Sequence, residues 1–371
     1  MRRRDFLSAA GAAAALSAQT APQARVESIT TISRQPGYYH GWPTLASRRD
    51  GELLLAYSGG REAHVCPFGR VEMMRSRDGG RSWSWPQVIF DSPIDDRDAG
   101  VLEIRSGSLL ATTFTSLAYE AALKAASGWT REKLDRWQAA DLRTTPEQRR
   151  ELLDTWMLRS TDSGLTWSSP YRVPVNSPHG PTLLADGRLL YAGKQLWQPG
   201  QKVGVCESTD DGATWRWLAD IPVRAGDSVT EYHELHAVEA SDGRVIAHIR
   251  NHNPRNQGET LQTESTDGGR TWSAPHPIGV WGLPSHLLRL RDGRLLMSYG
   301  YRRAPFGNQA RISRDSGANW SAPIVISDDG SGGDLGYPST AELGEGKLLT
   351  VWYELLKDSA HAVLRQARWS I

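Results

Sequence analysis

One eight-residue box recurs five times and restricts the folds open to this chain. It reads Ser-x-Asp-x-Gly-x-(Ser/Thr)-Trp and occurs at Ser76–Trp83, Ser160–Trp167, Ser208–Trp215 and Ser265–Trp272. A fifth copy, Ser313–Trp320, carries Asn319 in the hydroxyl position. A second repeat interleaves with it, a two-residue turn leading into an apolar strand. Its six copies begin Asp50-Gly51, Ser106-Gly107, Asp186-Gly187, Asp242-Gly243, Asp292-Gly293 and Glu345-Gly346. Successive turn glycines lie 56, 80, 56, 50 and 53 residues apart. A unit of roughly fifty residues built of hairpin-connected strands is the size of one four-stranded propeller blade.

The two repeats keep phase. From turn glycine to the Ser of the next box the chain runs 25, 53, 21, 22 and 20 residues. The second unit therefore carries an insertion. The segment 117–158 lacks strand alternation, and Thr145 before Pro146 has the form of a helix N-cap, so two or three short helices are expected there. The sixth unit has no box. Val26 to Ser33 is expected to supply its missing outer strand and leave no open edge. The predicted architecture is all-β, a six-bladed propeller over residues 25–371 with a short helical insertion in blade 2.

Composition agrees. The 371 residues include 36 Gly, 20 Pro and 15 Trp against 5 Phe and 5 Met, which suits short strands with frequent reversals. A net charge of +1 gives no global field for nucleic acid or an anionic membrane. Residues 1–21 open with Arg2-Arg3-Arg4-Asp5-Phe6-Leu7 and continue into an Ala-rich run too short to span a bilayer. This resembles a twin-arginine export signal and predicts a periplasmic or secreted protein. Cys66 and Cys206 read as buried thiols rather than a bridge.

In each box the Asp accepts backbone N–H groups across a turn, Gly supplies a left-handed position and Trp packs between sheets. The boxes are therefore scaffold. Five of them on a six-bladed ring resemble the sialidase (neuraminidase) superfamily, the Asp-box or BNR proteins, over nearly the whole chain after the leader.

A propeller collects its inner strands around an axis, so pocket residues should lie about seven to twelve positions before each turn glycine. Those windows hold His40, the cluster Asp95-Asp96-Arg97-Asp98, His179, His233 with Glu234 and His236, His286, and Asp334 to Tyr337. The superfamily uses a Tyr nucleophile with a Glu partner, an Asp acid and three arginines that grip a carboxylate. A neutral phenol suits an anomeric carbon that itself bears an anionic carboxylate. The resemblance makes Tyr337 the nucleophile and Glu234 its partner, with Arg250 a carboxylate ligand joined by Arg302, Arg303 or Arg311. Further expected contacts are Arg61, Arg97, His179, His233, His236 and His286.

Two positions depart from the superfamily pattern. Gly41-Trp42-Pro43 stands where an Arg normally precedes Ile-Pro, and no Asp follows the first strand pair, where only Glu62 and His64 are offered. Asp96, Asp98 or His40 would then supply the acid. The reading is an exo-glycosidase acting on sialic acid or a related acidic sugar, with no cofactor. Alternatives are a propeller lyase acting on uronates through a His/Tyr pair and a non-catalytic glycan-binding propeller. No metal is expected, because His233 and His236 are odd-spaced on a strand and face opposite ways.

Overall fold

The computed structural model describes residues 23–371 except 34 and 36. The expected leader at 1–21 lies outside the described residues. Among these, no helix is long and apolar enough to cross a membrane. Twenty-four strands form six four-stranded antiparallel sheets, the blades of a propeller. The inner strands are Tyr39–Ser47, Asp95–Glu103, Thr182–Leu183, Tyr232–Glu239, Ser285–Arg289 and Leu335–Gly344. They line the axis, as the spacing to the turn glycines predicts. The ring closes as expected: Arg25–Thr31 pairs antiparallel with Val363–Ser370 and becomes the outer strand of blade 6.

Six apolar clusters fill the six seams between neighbouring blades. Each box tryptophan sits in the seam shared with the preceding blade: Trp83 against blade 6, Trp167 against blade 1, Trp215 against blade 2, Trp272 against blade 3 and Trp320 against blade 4. The seam between blades 5 and 6 has no box, and Trp352 and Trp369 fill it instead. Within the first box, Asp78 Oδ1 accepts from Ser82 N at 2.9 Å and from Ser76 Oγ at 2.8 Å. In the fifth, Asn319 Nδ2 donates to Asp315 Oδ2 at 2.9 Å in place of a hydroxyl. The box locks a tight turn and delivers an indole to the seam.

The insertion forms three helices, α1 (Ala118–Lys124), α2 (Arg131–Asp141) and α3 (Pro146–Leu152). Thr145 caps α3 through a reciprocal capping box with Gln148. The helical stretch is shorter than expected: Thr155–Ser160 is already the third strand of blade 2. That strand is buried on both faces, so it carries no alternation that would reveal it. Tyr119 and Trp137 pack with Cys66, Phe68 and Ile94, beside the loop between the second and third strands of blade 1. Both cysteines are free and buried.

Antiparallel order sorts the connections between two ends. The turn glycines and all boxes lie where the inner strands finish. The helices and the other second-to-third-strand loops lie where the inner strands start.

Candidate active site

At the end where the inner strands start, four of them break their ladders at the same level. Registers shift around Trp42, Asp98, Glu234 and Tyr337 in blades 1, 2, 4 and 6. All four residues are left-handed, with φ of 53°, 47°, 38° and 53°. Bulky non-glycine residues avoid this region unless the surroundings impose it, and bulges re-aim side chains. Here four side chains are turned toward one another from four blades.

Tyr337 Oη donates to Glu234 Oε1 at 2.5 Å. Arg250 Nη1 donates to Glu234 Oε2 at 2.5 Å and to Tyr337 Oη at 3.2 Å. The guanidinium carbon of Arg302 stands 5.8 Å from the Tyr337 ring centre, and its Nε is fixed on Leu335 O at 2.9 Å. Burial pushes the Tyr337 hydroxyl well above its usual range, Glu234 pushes it further, and Arg250 opposes both. Burial also favours neutral Glu234, but the Arg250 charge and the bonds from Tyr337 and Arg250 hold that carboxylate below its usual range. The pair is a protonated phenol beside an ionised carboxylate, an arrangement through which a proton can pass from one to the other.

Asp98 is 5% exposed. Burial first, then the Glu234 charge, raises it from 3.8 to about 7, against Arg97, Arg250 and Arg61. Folded chain therefore keeps a proton that unfolded chain releases above about pH 4. That contribution to stability is full below pH 4 and lost as pH rises through 7. Asp98→Asn cannot ionise, so it should gain stability relative to wild type between pH 4 and 8, on the order of 1–4 kcal/mol. Urea midpoints at the two pH values measure it, and parallel shifts in both proteins would show an ordinary carboxyl. Arg97 lies over the Trp42 ring, its guanidinium carbon 4.4 Å from the centre, with Nε buried and unpartnered. Its Nη1 stands 3.9 Å from Asp95 Oδ2, and it keeps spare hydrogen-bonding capacity.

On the other side of Trp42, His64 Nδ1 lies 2.9 Å from Tyr39 Oη and 3.1 Å from Asp334 Oδ1. The His64 ring stands edge-on to Trp42 at 5.0 Å between centres, and Trp42 packs on Tyr337 at 6.4 Å and Tyr353 at 5.9 Å.

Residues 131–350 match the BNR repeat-like domain model. The chain belongs to the BNR repeat-like family. A sialidase of Micromonospora viridifaciens is 24% identical over 302 residues, covering 78% of this chain and 34% of that protein. A xyloglucanase of Paenibacillus sp. is 29% identical over 215 residues, covering 50% of this chain and 20% of that protein. The chain thus spans about a third and a fifth of these relatives. The solved NanB sialidase of Streptococcus pneumoniae shares the fold with a TM-score of 0.66 at 15% identity, over 93% of this chain and 70% of that one.

The other expected site residues of this BNR propeller divide into groups. His179, His236 and His286 do converge on the axis, with ring centres 4.8 to 5.3 Å apart. They border a cavity of about 480 Å³ toward the box end, behind the Tyr337 group. Burial keeps all three neutral. His233 lies apart from His236 and packs on His252 at 4.8 Å, but the bulge at Glu234 breaks the alternation from which opposite faces were expected. Ligand atoms of Glu231, His233 and His252 lie within 4.8 Å of one another, the one such grouping among the described residues. Arg250 Nε already donates to His252 Nε2 at 2.8 Å, which leaves the proton of neutral His252 on Nδ1 and no free ring lone pair for a metal.

Several expectations need correcting. His40 packs edge-on to Tyr57 in the seam of blades 1 and 6, neutral through burial, and does not face the site. Asp96 turns away onto Ser92, accepting from its N at 2.7 Å and Oγ at 2.6 Å. Arg61 is fully buried and bidentate on Asp95, at 2.6 and 3.0 Å. Arg311 lies on the third strand of blade 5, bound to Tyr299 and Ser321. Arg303 is an exposed rim residue over Trp281 at 5.2 Å. Glu62, weighed as an acid, is held by Arg136 and Trp137 at 2.9 Å each. Tyr39 and Trp42 share the pocket window of His40, and Tyr353 follows the Tyr337 segment, but sequence reasoning assigned these three no role at the site. The usable signal was Trp42-Pro43 and Tyr337-Pro338 at matching places in blades 1 and 6.

Proposed function

We propose that this protein is an exo-acting, retaining glycosidase that removes a terminal acidic sugar, sialic acid or a relative. The observation that carries the reading is the Tyr337–Glu234–Arg250 group, a phenol, its base and a fixed cation within 3.2 Å. Arg250 and Arg302 flank that phenol and Arg97 lies over the neighbouring Trp42, a positive setting that favours a carboxylate-bearing sugar over a neutral glucan. Tyr337 Oη attacks the anomeric carbon and passes its proton to Glu234. Water then releases the sugar with configuration retained. Asp98, protonated near neutrality, offers a hydrogen bond from the pocket wall.

The test is incubation of purified protein with a fluorogenic sialoside, alongside uronate polymers followed for unsaturated product. Release of the fluorophore supports this reading. Unsaturated product without sialoside turnover supports the uronate lyase, and glycan binding without either product supports a binding propeller. We also propose export to the periplasm or beyond, on the basis of Arg2-Arg3-Arg4-Asp5-Phe6-Leu7. Recovery of only unprocessed protein in the cytoplasm would refute it.

A further inference from the structure

We propose that His64, held by Asp334, is the group that gives a proton to the leaving oxygen at this site and later takes one from water; this rests on the glycosidase reading above. The superfamily pattern expects a carboxylic acid in this stretch of chain, and the sequence offers no Asp there. The geometry supplies an imidazole instead.

The tautomer follows from the bonds. Tyr39 Oη donates to Asp334 Oδ1 at 2.9 Å and lies 3.2 Å from Oδ2. Its hydroxyl proton is thereby committed, so its oxygen can only accept. His64 Nδ1 therefore faces two acceptors, Tyr39 Oη at 2.9 Å and Asp334 Oδ1 at 3.1 Å, and carries a proton. Nε2 is left as the working nitrogen, as in other carboxylate-oriented histidines. Burial favours neutral Asp334, yet the bonds and charge from His64, with bonds from Tyr39 and Tyr353, hold it below its usual range, so it stays an acceptor. Arg61 Nη2 fixes the His64 carbonyl at 2.9 Å, and the helical insertion packs on the same loop through Cys66 and Phe68.

Position decides between His64 and Asp98. The aglycone of an exo-glycosidase extends toward solvent, so its proton donor must stand at the mouth. The His64 side chain is 46% exposed, whereas Asp98 is 5% exposed and lies among Glu234, Arg97 and Arg250. Asp334 also sits three residues before Tyr337, immediately ahead of the strand Leu335–Gly344 that carries it, so nucleophile and orienting carboxylate share one support.

The steps balance. In the first, Tyr337 Oη bonds to the anomeric carbon and its proton goes to Glu234. The glycosidic C–O bond breaks, and the leaving oxygen takes the second proton of a doubly protonated His64 from Nε2, leaving the neutral Nδ1–H form. In the second, water bonds to that carbon and gives its proton to Nε2. The electron pair of the breaking bond returns to the Tyr337 oxygen, which recovers its proton from Glu234.

The experiment compares His64→Gln with wild type on two substrates, an aryl glycoside of the acidic sugar with an activated phenol and the same sugar linked to another sugar. Loss of about 10²–10⁴-fold on the sugar-linked substrate, with less than about 10-fold on the activated one, is expected. Equal losses on both, or a leaving-group-dependent loss in Asp98→Asn instead, would overturn the assignment. In nitrogen NMR, neutral His64 should carry its proton on Nδ1 in wild type and lose that preference in Asp334→Asn. A wild-type Nε2–H tautomer overturns this assignment and leaves the glycosidase reading standing. Wild type that turns over neither substrate sinks the glycosidase reading, and the assignment with it.

Discussion

Tyr337→Phe should lower kcat/KM on an acidic glycoside by at least about 10³-fold, because it deletes the oxygen that attacks in the proposed mechanism. The same change should barely alter the fold. The ring stays in contact with Trp42 and Tyr353, and the backbone keeps its left-handed turn at φ 53°. Glu234 loses one hydrogen bond and retains Arg250. A drop in activity with an unfolding midpoint matching that of wild type is the expected pair of results. Activity within about 10-fold of wild type would remove Tyr337 from the chemistry.

The second large effect is on stability. Arg61 and Asp95 are both fully buried, and each guanidinium nitrogen of Arg61 that faces Asp95 meets one carboxylate oxygen. Asp95→Ala leaves a charge that burial cannot neutralise, and about 3–5 kcal/mol of destabilisation is expected in urea denaturation. The double change Asp95→Leu with Arg61→Met removes both charges and should recover much of that loss. A single-variant cost below about 1 kcal/mol would mean that water reaches the pair. Arg61 also holds the carbonyls of Ala63 and His64, so the single variant should loosen the His64 loop before the ring itself gives way.

The ring was legible in the sequence because each box binds itself. Its Asp, Gly and hydroxyl neighbours lie within eight residues, so spacing alone reveals the turn and the count of blades. The centre was legible only in part. Glu234 and Tyr337 were reachable through their windows. Alternation failed one residue away, because a bulge adds a residue and turns the next side chain to a new direction. Thus His40 falls into a seam while Trp42 enters the site. The run Asp95, Asp96, Asp98 splits three ways, to Arg61, to Ser92 and to the centre. The bond between His64 and Asp334 joins residues 270 positions apart and leaves no local pattern at either.

The pairing of Arg25–Thr31 with Val363–Ser370 sets a schedule for the chain on the ribosome. Of the described strands Arg25–Thr31 emerges first, yet the strand it pairs with is the last of them to be translated. Until then five blades can assemble in turn, each leaving its newest edge bare and one seam unfilled. Blade 6 also carries Tyr337 and Asp334, so the candidate site is incomplete until they are made. Ring closure therefore waits for the last of the described strands, after every residue of the candidate site has been made.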